Sequence, residues 1–380
     1  MDKSKKWVIG IFVVAIIAVA YSISKMDSLG PSQQVSIEPI KIGFIGPLTG
    51  DAANIGQNSR AAVEIAVKEI NQDGGIGNRP FEIIYEDGQC TGNVASNAAN
   101  KLINVDKVSL ILGGACSGET SSFAGMAEQS KTVVLSYCSS APEISQAGDY
   151  IFRNYPSDLY QGSFSAEYIY NKLGKKKIAI LYGKSSWGNG VKDVFVQRFN
   201  ELGGTIIATE GYEQTSRDLR TQLTKIKSVN PELVYFLGYT EASIPGMKQA
   251  REIGLDVSFF GGDVWDDSKI WTDVGSAGEG AMYSVVYAPL NSDFKAKMKN
   301  SVGSDEITIC TPQAYDAVKL IAKVIEKVGT DAEAIKNELY KTSYTGGVSA
   351  SEITFDSNGD PVGANFIVKV VRNGEAIEAK

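Results

Sequence analysis

Histidine is absent from all 380 residues of the chain. That absence removes every Ser–His and Cys–His nucleophile, the imidazole general base, and any zinc site with imidazole ligands. Cysteine is scarce. Cys90, Cys116, Cys138 and Cys310 are the only four, and none stands in C-x-x-C spacing, which argues against a zinc knuckle or a redox dithiol. No basic block exceeds Lys175-Lys176-Lys177 and the formal net charge is −7. A nucleic-acid partner, whose phosphates need clustered lysine and arginine, is therefore not expected. Phosphate-binding loops are missing as well. Residues 43–50 do not scan as G-x-G-x-x-G, and Gly183-Lys184-Ser185 lacks the glycine that a P-loop places five residues earlier. There is no D-x-D-x-D-G calcium loop either, so neither metal nor cofactor is expected.

One long apolar run occurs, at residues 7–20, behind a basic stretch of Lys3, Lys5 and Lys6. With the small-x-small site Ala18-Val19-Ala20 it reads as an export signal. The alternative is an uncleaved anchor over residues 7–23, near the lower limit for a bilayer span. No cysteine follows the run, which excludes lipid attachment there, and residues 24–38 read as a tether. Both readings place the folded part outside the cytoplasm. Disulfides are the natural state of cysteine in an oxidising compartment.

The rest of the chain has ordinary globular composition, 43% hydrophobic and 21% charged, and is long enough for two or three domains. From Ile40 onward short apolar runs alternate with amphipathic stretches. Strands are expected at 40–46, 81–85, 108–112 and 132–135, with helices at 59–71, 93–104 and 120–130 between them. The alternation restarts after Tyr155-Pro156: strands at 177–182, 205–212, 233–237 and 257–260, helices at 160–173, 191–202, 219–229 and 241–253. Later come a strand near 281–287 and helices at 312–328 and 332–341. A hairpin of 351–355 with 364–371 is expected around Asn358-Gly359. Apolar runs of this length between helices indicate parallel sheets covered on both faces. The fold class is α/β, with two doubly wound lobes.

Ligands of such sheets bind beyond the carboxyl ends of the strands, where helix N-termini present free N–H groups. In the first half those positions carry Gly113-Gly114-Ala115-Cys116-Ser117-Gly118 and Ser136-Tyr137-Cys138-Ser139-Ser140-Ala141, small and rich in hydroxyls. Side by side, Ser117 and Ser140 suit one carboxylate; as caps, Ser117, Thr120 and Ser140 need no ligand. Gly114-Ala115-Cys116-Ser117-Gly118 also matches a cysteine version of the nucleophile elbow, but without histidine the nucleophile has no usual base. In the second half the strand ends carry Trp187, Tyr239 and Asp263. Asp263 fits a helix cap, a metal ligand together with Asp266 and Asp267, or the partner of a ligand's cation.

The blocks Ile42-Gly43-Phe44-Ile45-Gly46-Pro47-Leu48-Thr49-Gly50, Asn71-Gln72-Asp73-Gly74-Gly75-Ile76-Gly77, Glu86-Asp87, Cys116-Ser117 and Ser139-Ser140-Ala141-Pro142-Glu143 resemble type I periplasmic binding proteins of the branched-chain amino-acid (leucine/isoleucine/valine) class. The resemblance runs from about Ile40 to beyond Phe366. It implies lobe 1 over residues 38–155 plus 289–346, lobe 2 over 156–288 plus 347–380, and a three-segment hinge. It also implies a monomer that captures an amino acid without turnover and hands it to an ABC transporter permease. Ser117 and Ser140 fall on the family's carboxylate positions, Asp263 on its acidic position for the ammonium, Trp187 and Tyr239 on its aromatic positions, and Cys90 with Cys116 on its disulfide. The chain departs from the pattern at three places. Asp263 stands for glutamate. Cys138 replaces a small alanine-like residue and is expected as a buried apolar side chain, with a bridge to Cys310 as the alternative. Ile55 stands where a larger aromatic is common. The rival readings are an anchored sensor ectodomain, or a binding protein for an amide, urea or an aromatic acid.

Overall fold

Two sheets with the same strand order organise the chain. The structure, a computed structural model, describes residues 38–303 and 307–379. The expected signal and tether at 1–37 lie outside the described residues. The first sheet contains β1 (Ile40–Gly46), β2 (Phe81–Asp87), β3 (Leu110–Leu112), β4 (Val133–Ser136) and β5 (Ile151–Arg153), ordered β2-β1-β3-β4-β5 and parallel throughout. Its crossovers are α1 (Ala53–Gln72), α2 (Gly92–Asn104) and α3 (Ser117–Gln129). Helices on both faces leave a strand such as Leu110–Leu112 fully buried, which is why it reads as an unbroken apolar run.

Arg153 ends β5, and α4 (Asp158–Glu167) leads into the second sheet after a π turn at Tyr168–Lys172. Here β6 (Lys177–Gly183), β7 (Thr205–Tyr212), β8 (Val234–Leu237), β9 (Phe259–Gly261) and β10 (Met282–Val286) repeat the order as β7-β6-β8-β9-β10. The helices are α5 (Ser186–Glu201), α6 (Arg220–Ser228), α7 (Thr240–Glu252) and α8 (Ser268–Val274). The chain then returns to the first sheet. Helices α9 (Ser292–Val302) and α10 (Thr311–Val328) pack on α1, and α11 (Ala332–Leu339) packs on α10. Among the described residues no helix is long and apolar enough to cross a membrane.

The expected 351–355/364–371 hairpin does not form. Instead β11 (Tyr344–Thr345) pairs with β12 (Glu352–Ile353), and the Asn358-Gly359 turn closes only a single bridge between Phe355 and Pro361. β13 (Phe366–Arg372) joins β10 antiparallel and turns at Asn373-Gly374 into β14 (Glu375–Glu378), so the second sheet is mixed. The cause is tertiary: β10 offers a free sheet edge to the longer apolar strand. The return to the second sheet also comes later than residue 347. Phe355 packs its ring 5.4 Å from Phe152, the Arg153 N–H donates to Gly359 O at 3.0 Å, and Asp316 on α10 accepts from the Val348 and Ser349 N–H groups at 3.0 and 2.7 Å. Residues 344–361 therefore stay with the first sheet, and the third crossing is 362–365.

In each sheet the strand order reverses beside its first strand, between β1 and β3 and between β6 and β8. Such switch points open a crevice at the carboxyl ends of the strands.

Candidate functional site

The loop after β3 has little conformational freedom. Gly113 has φ +137, and a Cβ on it would overlap the Ile45 carbonyl, so only glycine fits. The chain then enters α3 with Ser117 at its first turn, where N–H groups have no intrahelical acceptor. Hydroxyls lock this loop to the one after β4. Ser136 Oγ donates to Gly114 O at 2.6 Å, Ser139 Oγ to the same carbonyl at 3.0 Å, and Thr120 Oγ1 lies 2.7 Å from Ser139 Oγ. Ser117 Oγ accepts the N–H groups of Ser140 and Ala141 at 3.2 and 3.1 Å. Its own hydroxyl proton is left to donate elsewhere. The wall is thus a set of donors at a helix N-terminus, suited to an anion.

Two buried ionisable side chains hold this wall from behind, and sequence reasoning missed both. Glu119 is fully buried and accepts the N–H groups of Cys90, Ala115 and Cys116 at 3.0, 2.9 and 3.0 Å. Burial pushes its carboxyl up to about 7, against the pull of those three bonds. Arg153, also fully buried, donates to Ala141 O at 2.9 Å and Ser139 O at 3.3 Å and pairs with Asp360 at 2.6 Å. Its partner lies 207 residues away, so no local pattern announces the pair.

The Cys90–Cys116 bridge is present, with Cα atoms 5.3 Å apart, and ties the loop after β2 to the start of α3. Cys138 is not the free apolar residue expected. It is bridged to Cys310, Cα to Cα 5.2 Å, across 172 residues of sequence. Cysteine spacing alone does not reveal such a pairing; it arises because α10 starts beside the loop after β4.

The facing wall comes from the second sheet. Ser185 caps α5 by accepting the Gly188 N–H at 3.0 Å, which sets Trp187 on the first turn. Tyr239 stands at the residue before α7, and the Trp187 and Tyr239 rings lie 5.2 Å apart at 40°. Among the described residues the buried Trp187 Nε1–H has no hydrogen-bond partner. Asp263 follows β9, is 2% exposed, and accepts the Tyr155 hydroxyl at 2.7 Å. Burial pushes its carboxyl up to about 6, partly offset by hydrogen bonds from Tyr155, Gln161 and Val264. Asp158, at the start of α4 and 1% exposed, is raised further, by burial and then by the charge of Asp263. Both effects favour its protonated form, opposed by a hydrogen bond from Ser140 and by the charge of Arg153.

All seven expected site residues (Ile55, Ser117, Cys138, Ser140, Trp187, Tyr239 and Asp263) line one cavity with about 360 Å³ of empty volume. Pro47, Ala52, Val264 and Ile309 complete an apolar lining, and no lysine or arginine is among the described lining residues. Ile55 lies in the first turn of α1. Gly56 beside it sits so close to Pro47 that a Cβ would overlap the Pro47 carbonyl. The two walls are latched around the cavity. Asn54 Nδ2 donates to Asp267 Oδ1 at 2.7 Å, Arg217 pairs with Asp51, Gln214 Nε2 donates to Cys90 O at 3.2 Å, and Ser186 Oγ donates to Glu143. Asp267 therefore serves the latch and caps α8, and Asp263 stands without it in the cavity. Among the described residues no group of acidic or cysteine side chains is placed to hold a metal.

The family model described as "Periplasmic binding protein" matches residues 39–375. A leucine-, isoleucine-, valine-, threonine- and alanine-binding protein of Pseudomonas aeruginosa is 30% identical over 347 residues, 89% of this chain and 91% of its own length. Among solved structures, the leucine binding protein LivK of Thermotoga maritima superposes with a TM-score of 0.83 at 27% identity, covering 90% of this chain and 98% of that one. A solute binding protein from R. palustris in complex with benzoate gives 0.81 at 19% identity, covering 90% and 95%, a likeness of fold alone.

Proposed function

Because the chain belongs to the periplasmic binding protein family, we propose that its cleft captures an amino acid with a small apolar side chain, without turnover, and presents it to a membrane permease. Asp263 carries this reading. It is the one carboxylate among the described lining residues of a cavity that Ser117 and Ser140 line as well. A carboxylate on one wall and anion-binding donors on the other match a zwitterion in charge order. An ammonium buried here without a counter-charge would be costly. Ile55, Ala52, Val264 and Ile309 leave the side chain only apolar neighbours.

In this reading the lobes are built on the two sheets, with residues 289–361 returning to the first, and closure across the Asn54–Asp267 and Asp51–Arg217 contacts buries the ligand. The N-terminal segment exports the chain or anchors it, and the folded part acts outside the cytoplasm. An aromatic acid, as bound by the R. palustris protein, is the second reading; it has no ammonium for Asp263. A thermal-shift screen of the twenty amino acids, short amides, urea and benzoate separates the two. Small aliphatic amino acids should raise the melting temperature most. Stabilisation by benzoate or an amide, with none by any amino acid, would overturn the reading.

A further inference from the structure

Beside the cleft cavity lies another, of about 590 Å³ empty volume, and among the described residues only Ile309 lines both. Elsewhere the two back onto each other through bonded pairs. Tyr155 lines the second cavity and donates to Asp263 of the cleft at 2.7 Å. Cys310 lines the second cavity and is bridged to Cys138 of the cleft. Ile309 is thus the apolar part of the partition, with no bond to tie it to either side. The second cavity is itself largely apolar, with Val285, Val286, Leu290, Pro312 and Ile367 in its lining. Its charged lining residues, Asp266 and Lys369, pair with each other at 2.6 Å, and Asp266 also accepts the Tyr283 hydroxyl at 2.7 Å. With those charges satisfied, what the cavity offers is room for hydrocarbon.

Ile309 is held where it stands, at 7% exposure. Cys310, the next residue, precedes α10 and is fixed by its bridge, and Thr308 Oγ1 lies 2.9 Å from Thr311 Oγ1. With the backbone secured on both sides, a side chain shortened here leaves a hole rather than a collapsed wall. We propose that Ile309 is a specificity-determining residue, the stop between the cleft and the second cavity. It restricts the ligand to amino acids with short aliphatic side chains; without it, an unbranched chain runs on into the second cavity. This rests on the amino-acid reading of the cleft.

The test measures dissociation constants by calorimetry for alanine, norvaline, norleucine and 2-aminooctanoic acid, on the full chain and its variants. In the unaltered protein affinity should rise with chain length and fall again before 2-aminooctanoic acid. In Ile309→Ala the rise should continue, by about fourfold for each methylene buried. The preference for 2-aminooctanoic acid over norvaline should therefore grow by about tenfold or more. Ile309→Val, which removes one methyl group, should shift it less and in the same direction, and it carries the test if Ile309→Ala does not fold. Leu290, partly exposed, lines only the second cavity; Leu290→Trp added to Ile309→Ala should fill that space and cancel the gain. Val264 lines only the cleft, so Val264→Ala should not reproduce the gain. An unaltered protein that already prefers 2-aminooctanoic acid would overturn the proposal. So would a preference unchanged in the Ile309 variants, an equal gain in Val264→Ala, or a gain that survives Leu290→Trp. Failure of the underlying reading looks different: no member of the series then binds the unaltered protein, and both ideas fall.

Discussion

Lowering the pH should weaken amino-acid binding through protonation of the Asp263 carboxyl. An ordinary aspartate, near 3.8, would be ionised throughout the range from pH 5 to 8; burial pushes Asp263 up to about 6. Only the ionised form pairs with an ammonium, so apparent affinity scales with the ionised fraction. That fraction is about nine-tenths at pH 7 and one-tenth at pH 5, a loss of roughly tenfold or ~1.4 kcal/mol. The apo fold responds with the opposite sign. A carboxyl whose pKa is raised on folding contributes stability that is complete below about pH 4 and is lost as pH rises through about 6, an effect of roughly 3 kcal/mol for a two-unit shift. Between pH 5 and 7 the ligand-free protein should therefore become less stable from this group while it binds more tightly. Asp263→Asn keeps the size and still accepts the Tyr155 hydroxyl. It should remove the pH slope of binding and cost about 2–5 kcal/mol of affinity at pH 7 by leaving the ammonium unpaired. Isothermal titration calorimetry with leucine or valine at pH 5, 6, 7 and 8, at constant ionic strength, measures the affinities, and chemical denaturation of the ligand-free protein at the same pH values measures its stability. Affinity independent of pH in the unaltered protein, or unchanged in Asp263→Asn, would refute the ammonium partnership and point to a neutral or anionic ligand.

Ser117→Ala should weaken binding by about 1–2 kcal/mol in the same titrations, because helix N–H groups still hold the carboxylate after the hydroxyl is gone. Arg217→Ala removes a partly exposed pair with Asp51 across the cleft; stopped-flow measurements should show dissociation faster by a few-fold, about 0.5–1 kcal/mol, and association nearly unchanged. Peptide mapping without reduction should recover Cys90 linked to Cys116 and Cys138 linked to Cys310. The double variant Cys138→Ala, Cys310→Ala opens a closure of 172 residues, so chemical denaturation should show a loss of up to about 5 kcal/mol by the chain-entropy estimate.

Much of the site was legible because parallel sheets send every strand's carboxyl end to one side. Once the strands ending near Leu112, Leu135, Leu237 and Phe260 were located, the residues that follow them had to share a crevice, and they do. Helix starts were read less well, and the errors follow a pattern. α1 starts at Ala53 rather than Ser59, α3 at Ser117 rather than Thr120, and α5 at Ser186 rather than Val191. In each case the missed turn is the one facing the cleft. Asn54 reaches across to Asp267, Ser117 braces the serine loop, and Ser186 meets Glu143. Those turns carry small and polar residues in place of the apolar repeat by which a helix is recognised in sequence. Arg153 and the Cys138–Cys310 bridge were hidden for a different reason. Their partners are brought in only by the segment that follows α11 and by α10, and separations of 207 and 172 residues leave no local trace, so the bridge could be named only as an alternative. The lost periodicity is itself informative. Where a strand end is followed by several small or hydroxyl-bearing residues before the apolar repeat resumes, the helix has already begun, and its first turn is turned toward the ligand rather than the core.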